Sequence, residues 1–284
     1  MPKSLSMLAT VISLKPQGEN NSSVCLLTQT EGILYATLYG GHKSRLKGLV
    51  SPWNTGEVWL SQDAKSGFYK ISDFSVKKYH LTFRDSLAKY YASSLAAELA
   101  LYTKCAGNAK EFWALFNGFI DGLDFCTEDS QCKTGLVRFL WRFLSLSGVQ
   151  PDATECACCS KKFLEQNTVW NRERNTGGIT YGAPGENDQR KNEVEDRKNG
   201  AEFLVTENQF FCGDCKKIDE KTLFFLNRTA MSYLSAIQNL SPKEARTWPV
   251  TEEALSQIED LLFYLIENVA GKKLKTLSTG RAFL

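Results

Sequence analysis

Cys156-x-x-Cys159 and Cys212-x-x-Cys215 repeat one spacing in a chain that holds nine cysteines and only 2 histidines. A C-x-x-C turn lets one short knuckle present two sulfurs to the same ion, and two such knuckles fill a tetrahedral shell. The pattern predicts one structural Zn²⁺ held by Cys156, Cys159, Cys212 and Cys215, and it obliges the fold to bring two distant segments together. A catalytic zinc keeps a position open for water and usually takes histidine or carboxylate ligands, which the chain scarcely offers near these cysteines.

Two other uses of the four thiols stand beside this one. They would pair as disulfides in a secreted domain, yet the first residues, MPKSLSMLATVISLK, lack the apolar run and small-residue cleavage site of a signal peptide. A reducing, cytoplasmic compartment is therefore expected. A redox C-x-x-C belongs at the end of a strand in a βαβ unit, and neither pair has that context. Cys158 gives the first knuckle a third sulfur and is read as a spectator or an occasional substitute ligand.

The apolar segments never approach the ~20 uninterrupted residues of a membrane span, so no membrane partner is expected. With 43% hydrophobic and 23% charged residues, the 284-residue chain can bury a sizeable core, enough for two or three small domains. Cys25, Cys105, Cys126 and Cys132 sit among apolar or helical neighbours and are expected to pack as small hydrophobes. The net charge of +2 hides an uneven distribution: residues 1–80 carry nine basic against five acidic side chains, a surplus that favours a polyanionic partner.

The first ~75 residues read as five short strands, Leu8 to Leu14, Val24 to Thr28, Ile33 to Leu38, Glu57 to Leu60 and Phe68 to Ile71, with turn residues between them. Five strands in that length suit a small barrel, OB-like or SH3-like, and pattern alone does not separate the two. From about Ser86 the period becomes helical: Leu87 to Tyr102, Phe112 to Leu123, Thr134 to Ser147, Leu223 to Ile237, and a last helix from near Thr251. The expected fold class is α+β and multidomain. An OB-like five-stranded barrel occupies 1–80, a helical domain 81–153 and 218–284, and a four-cysteine zinc module over 154–217 interrupts it. Within the module, 171–200 is too polar to offset its ordering entropy and reads as a disordered-like insertion.

After the third strand comes Gly40-Gly41-His42-Lys43-Ser44-Arg45-Leu46-Lys47-Gly48. If this stretch were extended, Lys43, Arg45 and Lys47 would point to one side at a spacing that meets successive phosphates, and Ser44 would add a hydrogen bond. Tyr35, Tyr39 and Trp53 are candidates for stacking bases, although aromatics on strands also fill cores. The same loop also reads as an ordinary solvated turn. There is no Walker loop, no HExxH and no set from which two histidines would readily build a Ser-His-Asp triad, so no enzyme activity is expected.

The order of basic barrel, helical domain and inserted cysteine module resembles the bacterial recombination mediator family RecO nearly end to end. GGHKSRLKGLVSPW is similar to its basic segment after the third strand, RFLWRFLSLSGVQPD followed by CACC to its helix leading into the metal site, and GKKLKTLSTGRAFL to its closing segment. The two cysteine pairs usually lie closer together in that family, and the polar insertion accounts for the difference. The resemblance implies a non-enzymatic protein that binds single- and double-stranded DNA, anneals complementary strands and helps load the recombinase RecA onto DNA coated with single-strand binding protein. It implies RecR and the acidic C-terminal tail of that binding protein as partners, with Arg138 as the contact for the tail's carboxylate and Phe139, Arg142 and Phe143 nearby. It also implies a cytoplasmic, nucleoid-associated location during repair. Two other classes remain open at this point: a zinc-stabilised protein–protein adaptor without DNA binding, and a metal-dependent hydrolase.

Overall fold

The computed structural model describes residues 3–40, 44–63, 66–163, 200–215 and 224–284. Lys43, His42 and all but the last residue of the 171–200 insertion lie outside them. The chain divides into two units, Met1–Gly148 with Leu265–Leu284, and Val149–Tyr264.

In the first unit, alternating apolar residues build five strands: β1 (Lys3–Gln17), β2 (Asn21–Thr28), β3 (Gly32–Leu38), β4 (Thr55–Gln62) and β5 (Tyr69–Lys78). They close a barrel in the order β1-β2-β3-β5-β4, with β4 returning to β1. Every pairing is antiparallel except β3 with β5. The fifteen-residue β1 serves two neighbours, pairing with β4 through Lys3–Thr10 and with β2 through Ala9–Gln17. A bulge between Val11 and Ser13 gives it the bend that this requires. Gly56 admits β5 closely, since a Cβ there would stand 2.2 Å from the carbonyl oxygen of Ser75. Inward residues such as Val11, Leu26, Val58 and Phe74 are buried to 2% exposure or less, each worth roughly 1.5–3 kcal/mol of apolar transfer. The closing β3–β5 contact is short, Ala36 with Tyr69 and Thr37 with Lys70.

Three helices follow. α1 (Leu87–Thr103) starts at Ser86, whose side chain accepts the Lys89 N–H at 3.3 Å, and stops at Lys104 in the left-handed region. α2 (Ala109–Asp124) is capped by Asn108, which accepts the Glu111 N–H at 3.2 Å. α3 (Asp129–Leu146) ends before Gly148 at φ 71°. Between α2 and α3 an aromatic core forms, with Phe119 and Phe139 stacked at 4.5 Å and Phe112 edge-on to Phe143 at 6.0 Å.

Polar contacts join barrel to helices. Thr10 Oγ1 donates to Asn117 Oδ1 at 2.8 Å, and Thr55 Oγ1 lies 2.8 Å from Thr10 Oγ1 and 3.2 Å from Asn117 Oδ1. His80 Nδ1 lies 2.8 Å from the Trp53 carbonyl oxygen, and its Nε2 lies 3.1 Å from Asp121 Oδ1.

The second unit holds a three-stranded antiparallel sheet in the order β7-β6-β8, from β6 (Ala201–Leu204), β7 (Gln209–Cys212) and β8 (Phe224–Leu226). Helices α4 (Arg228–Asn239) and α5 (Pro242–Arg246) follow, the second opened by a Ser241/Glu244 capping box. α6 (Glu252–Ala270) begins where its acidic first turn predicts, its residues from Leu265 on counting with the first unit, and α7 (Lys275–Gly280) follows within that unit. The helix expected over Leu223 to Ile237 starts later. Phe224–Leu226 is strand, because Phe224 packs on Phe203 of β6 and Asn227 caps the helix by accepting the Ala230 N–H at 2.9 Å.

Among the described residues no helix is long and apolar enough to cross a membrane.

Candidate functional site

The cysteine cluster grows out of two turns set side by side. Cys156 and Cys159 lie on a tight turn in which the Ser160 N–H donates to the Cys156 carbonyl and the Cys156 N–H to the Lys161 carbonyl, both at 2.9 Å. A bond from the Ala157 N–H to the Phe210 carbonyl, 3.0 Å, fastens that turn to β7. Cys212 ends β7, and a single 3-10 turn, Gly213–Cys215, delivers the fourth sulfur. All four sulfurs lie within 4.8 Å of one another, with Cys159 and Cys212 at 3.7 Å. Zn–S bonds of ~2.3 Å in a tetrahedron put sulfurs about 3.8 Å apart, so the donor set fits one tetrahedral ion.

The electrostatics agree with the geometry. Burial pushes the Cys156 thiol up, but the N–H groups of Cys212, Cys159 and Cys158 around its sulfur outweigh burial and hold it down at about 7. Contacts with the thiols of Cys159 and Cys212 push Cys215 up, and burial pushes Cys212 up. Four sulfurs this close cannot all carry charge unaided, and a dication among them removes the conflict. Lys161 bridges the two turns to Asp214 at 3.2 Å, placing a cation beside the cluster. Cys158 is exposed and outside the group of four.

From Arg45 on, the basic loop does not run extended. Arg45–Lys47 form one 3-10 turn, and the Ser44 side chain caps it by accepting the Leu46 N–H at 3.3 Å. Turn geometry rotates Arg45 and Lys47 off the common line that alternation would give them. Arg45 reaches Asp73 of β5, Nη2 to Oδ1 3.3 Å. Lys43 lies outside the described residues. Trp53 is 7% exposed and packs on Phe83 at 6.2 Å, so it belongs to the interior and not to a stacking surface.

Barrel register assembles a cationic and aromatic face that local pattern does not show. Lys15 pairs with Ser23, Ser23 with Thr37, Thr37 with Lys70, and Lys70 with Ser61, a girdle across all five strands. Tyr35 and Tyr39 flank Thr37 at two-residue steps, hence on its side of the sheet, and are 60% and 49% exposed. Lys70 Nζ stands 5.0 Å above the Tyr39 ring. Trp59, partly exposed, pairs with Asp73, the residue that Arg45 reaches. Lys15 and Lys70 counted only towards the basic surplus of the sequence. Their juxtaposition depends on the parallel β3–β5 pairing between non-consecutive strands.

Arg138 and Arg142 are half-buried on α3. Arg138 Nη2 points to a spot above Gly135 that it shares with the Phe119 ring edge and Leu123, each 3.9 Å from where a Gly135 Cβ would stand. Phe139 and Phe143 are buried in the aromatic core and are not available as surface neighbours of Arg138.

Comparison with known proteins follows the same outline. A family model described as "Recombination protein O C terminal" matches residues 84–278, from just after the barrel into the last helix. The chain is 26% identical over 172 residues to the DNA repair protein RecO of Gloeothece citriformis, which covers 60% of each chain. It is 26% identical over 184 residues to the DNA repair protein RecO of Dehalococcoides mccartyi, covering 63% of this chain and 69% of that one. The match thus spans about 60% of the length of the first of these relatives.

Proposed function

The chain belongs to the RecO family of recombination proteins, and from that premise we propose that it is a non-enzymatic DNA-binding mediator of recombinational repair. It anneals complementary strands and helps load RecA onto DNA coated with single-strand binding protein. The observation that carries this reading is the outward barrel face where Lys15 and Lys70 alternate with exposed Tyr35 and Tyr39. Cations at that spacing bind phosphates with release of counterions, and exposed rings stack bases whatever their sequence. Arg45, Lys47 and Ser44 extend the surface from the loop before β4, and Lys43, outside the described residues, is a further candidate contact. Annealing then needs no reacting group: neutralised backbones approach, and base pairing supplies selectivity.

The ion of the cysteine cluster is Zn²⁺ in this reading, one per chain and structural, since four thiolates leave no position for substrate. It fixes the turn at Cys156 against the end of β7. RecR and the acidic tail of single-strand binding protein are the protein partners. Arg138, with Arg142 beside it on α3, receives the tail's terminal carboxylate through charge-assisted hydrogen bonds. The site of action is the cytoplasm, at the nucleoid.

Strand annealing on complementary oligonucleotides precoated with single-strand binding protein tests the whole proposal. Annealing should depend on the protein and weaken in Lys15→Ala/Lys70→Ala. A protein that neither anneals the coated strands nor binds single-stranded DNA at physiological salt is instead a zinc-stabilised adaptor.

A further inference from the structure

We propose that the cleft between the barrel and the start of α1 docks a protein segment in which an apolar side chain is flanked by carboxylates. The cleft encloses about 540 Å³ within the first unit, between the Ser51–Asn54 loop and residues 80–90. That volume lies in the range of preformed ligand sites. Trp53 forms part of its wall and is fixed from three sides: its N–H donates to the Val11 carbonyl at 2.7 Å, its carbonyl oxygen lies 2.8 Å from His80 Nδ1, and its ring packs on Phe83. These contacts hold it at φ 73°, a conformation that a tryptophan keeps only when its surroundings impose it. The wall is therefore rigid, and a ligand need not order it.

The rim is the reverse of an ordinary solvated surface. Leu81, Leu87 and Tyr90 are 58%, 55% and 49% exposed and converge on one opening. Among the lining residues there is no carboxylate, and the one fully charged group is the exposed Arg84, whose Nη2 lies 3.4 Å from Ser51 Oγ. Asp85 follows Arg84 in sequence but does not line the cleft. Apolar walls call for an apolar anchor, and a lone guanidinium at the mouth calls for an acidic neighbour to that anchor. Nucleic acid fits poorly: a phosphate chain needs several cations in line, and laid across Leu81 and Leu87 it would lose hydration without replacement. This site is separate from Arg138 and holds whether or not the barrel face binds DNA.

Selection of a random dodecapeptide library, displayed on phage with no free C-terminus, against the full chain tests the proposal. Enriched peptides should carry an aliphatic or aromatic residue flanked by Asp or Glu. Their synthetic, C-terminally amidated versions should bind at least about ten-fold more weakly to Arg84→Glu and to Leu87→Glu, a loss of about 1.4 kcal/mol each, while Arg138→Ala leaves them unchanged. Both substituted positions are exposed, and unchanged melting curves will show that the variants fold. Absence of such a consensus, or equal binding by the two cleft variants, overturns the proposal. So does a twenty-nucleotide oligothymidine whose affinity drops with Arg84→Glu as far as with Lys70→Ala, since that would put nucleic acid in the cleft.

Discussion

Arg45 Nη2 lies 3.3 Å from Asp73 Oδ1, tying the turn before β4 to the outer surface of β5. Both side chains are well exposed, so the pair contributes little to stability, but it sets how much of Arg45 is available to a phosphate. Asp73→Asn should raise affinity for single-stranded DNA about two- to five-fold at low salt. Arg45→Ala should then cost more in that background than in the parent. Anisotropy titrations over a salt series check both effects, because each phosphate contact changes the slope of log K against log salt by about 0.7. Equal losses from Arg45→Ala in the two backgrounds would show that Asp73 does not restrain it.

Cysteine reactivity separates the metal cluster from the packed thiols. Burial pushes Cys25 and Cys105 up to about 11, leaving on the order of a thousandth of each as thiolate at pH 8. Cys158 is exposed and outside the cluster. Brief alkylation of the folded, metal-loaded protein should modify Cys158 quickly and spare Cys25, Cys105 and the four cluster cysteines. After treatment with a chelator, Cys156, Cys159, Cys212 and Cys215 should become reactive as a group, as mass spectrometry of the digested protein would show. Modification of those four at the same rate with and without chelator would exclude a bound ion.

Metal content makes a second, independent check of the cluster. Elemental analysis should find about one zinc per chain, and Cys156→Ser/Cys212→Ser should bring that close to zero. Because binding energy at such a site is also folding energy, the double variant should expose the turn at 154–163 and β7 to proteolysis. Iron at the same stoichiometry would replace zinc in the proposal without moving the ligands.

Legibility in the sequence followed the range of each signal. The four cysteines were readable because ligand chemistry repeats a local spacing, and the turn geometry needs no distant information beyond their meeting. Helices α1, α2 and α3 were readable from their apolar period, while the caps Ser86 and Asn108 are findings of the structure. Strand ends were not: β5 runs to Lys78, where the pattern stopped at Ile71, because Phe74 packs inward beyond a bulge that shifts the alternation. Phe224–Leu226 looked helical because three apolar residues carry no period, and only the β6 partner makes them strand. The face of Lys15, Tyr35, Tyr39 and Lys70 depends on the register of a closed barrel, a relation among residues up to 55 positions apart that no local window contains. Trp53 and Tyr35 looked alike in sequence, yet the contacts of the helical domain bury the first and leave the second exposed.

Asn117 ties barrel to helices from a buried position, as the partner of both Thr10 and Thr55 and as donor to the Trp113 carbonyl at 2.9 Å. Asn117→Ala removes the acceptor and leaves two hydroxyls that can satisfy only each other. A buried polar group without its partner costs about 1–3 kcal/mol, so the variant should unfold at lower urea with a loss of about 2 kcal/mol. Thr10→Val should lose less, because it removes a hydroxyl along with its need for a partner. If Asn117→Ala proves as stable as the parent, the polar triangle is not what joins the two parts.

Two glycine substitutions should act in opposite directions, for reasons visible at their Cβ positions. Gly280 ends α7 against the ring of Tyr91, where a Cβ would fall 2.0 Å from Cδ1, and Tyr91 is itself stacked on Phe283 at 5.3 Å. Gly280→Ala must push α7 away from α1, at a cost of about 1–3 kcal/mol. The strain should reach Glu98, whose carboxylate accepts the N–H groups of Lys275 and Thr276 at 2.9 Å each and so fastens the start of the same helix. Hydrogen exchange at those two amides should speed up several-fold in Gly280→Ala. Gly118, inside α2, has no atom within 4 Å of its Cβ position, so alanine there adds helix propensity without a clash. Gly118→Ala should be stabilising by up to about 1 kcal/mol and should leave exchange at Lys275 and Thr276 unchanged.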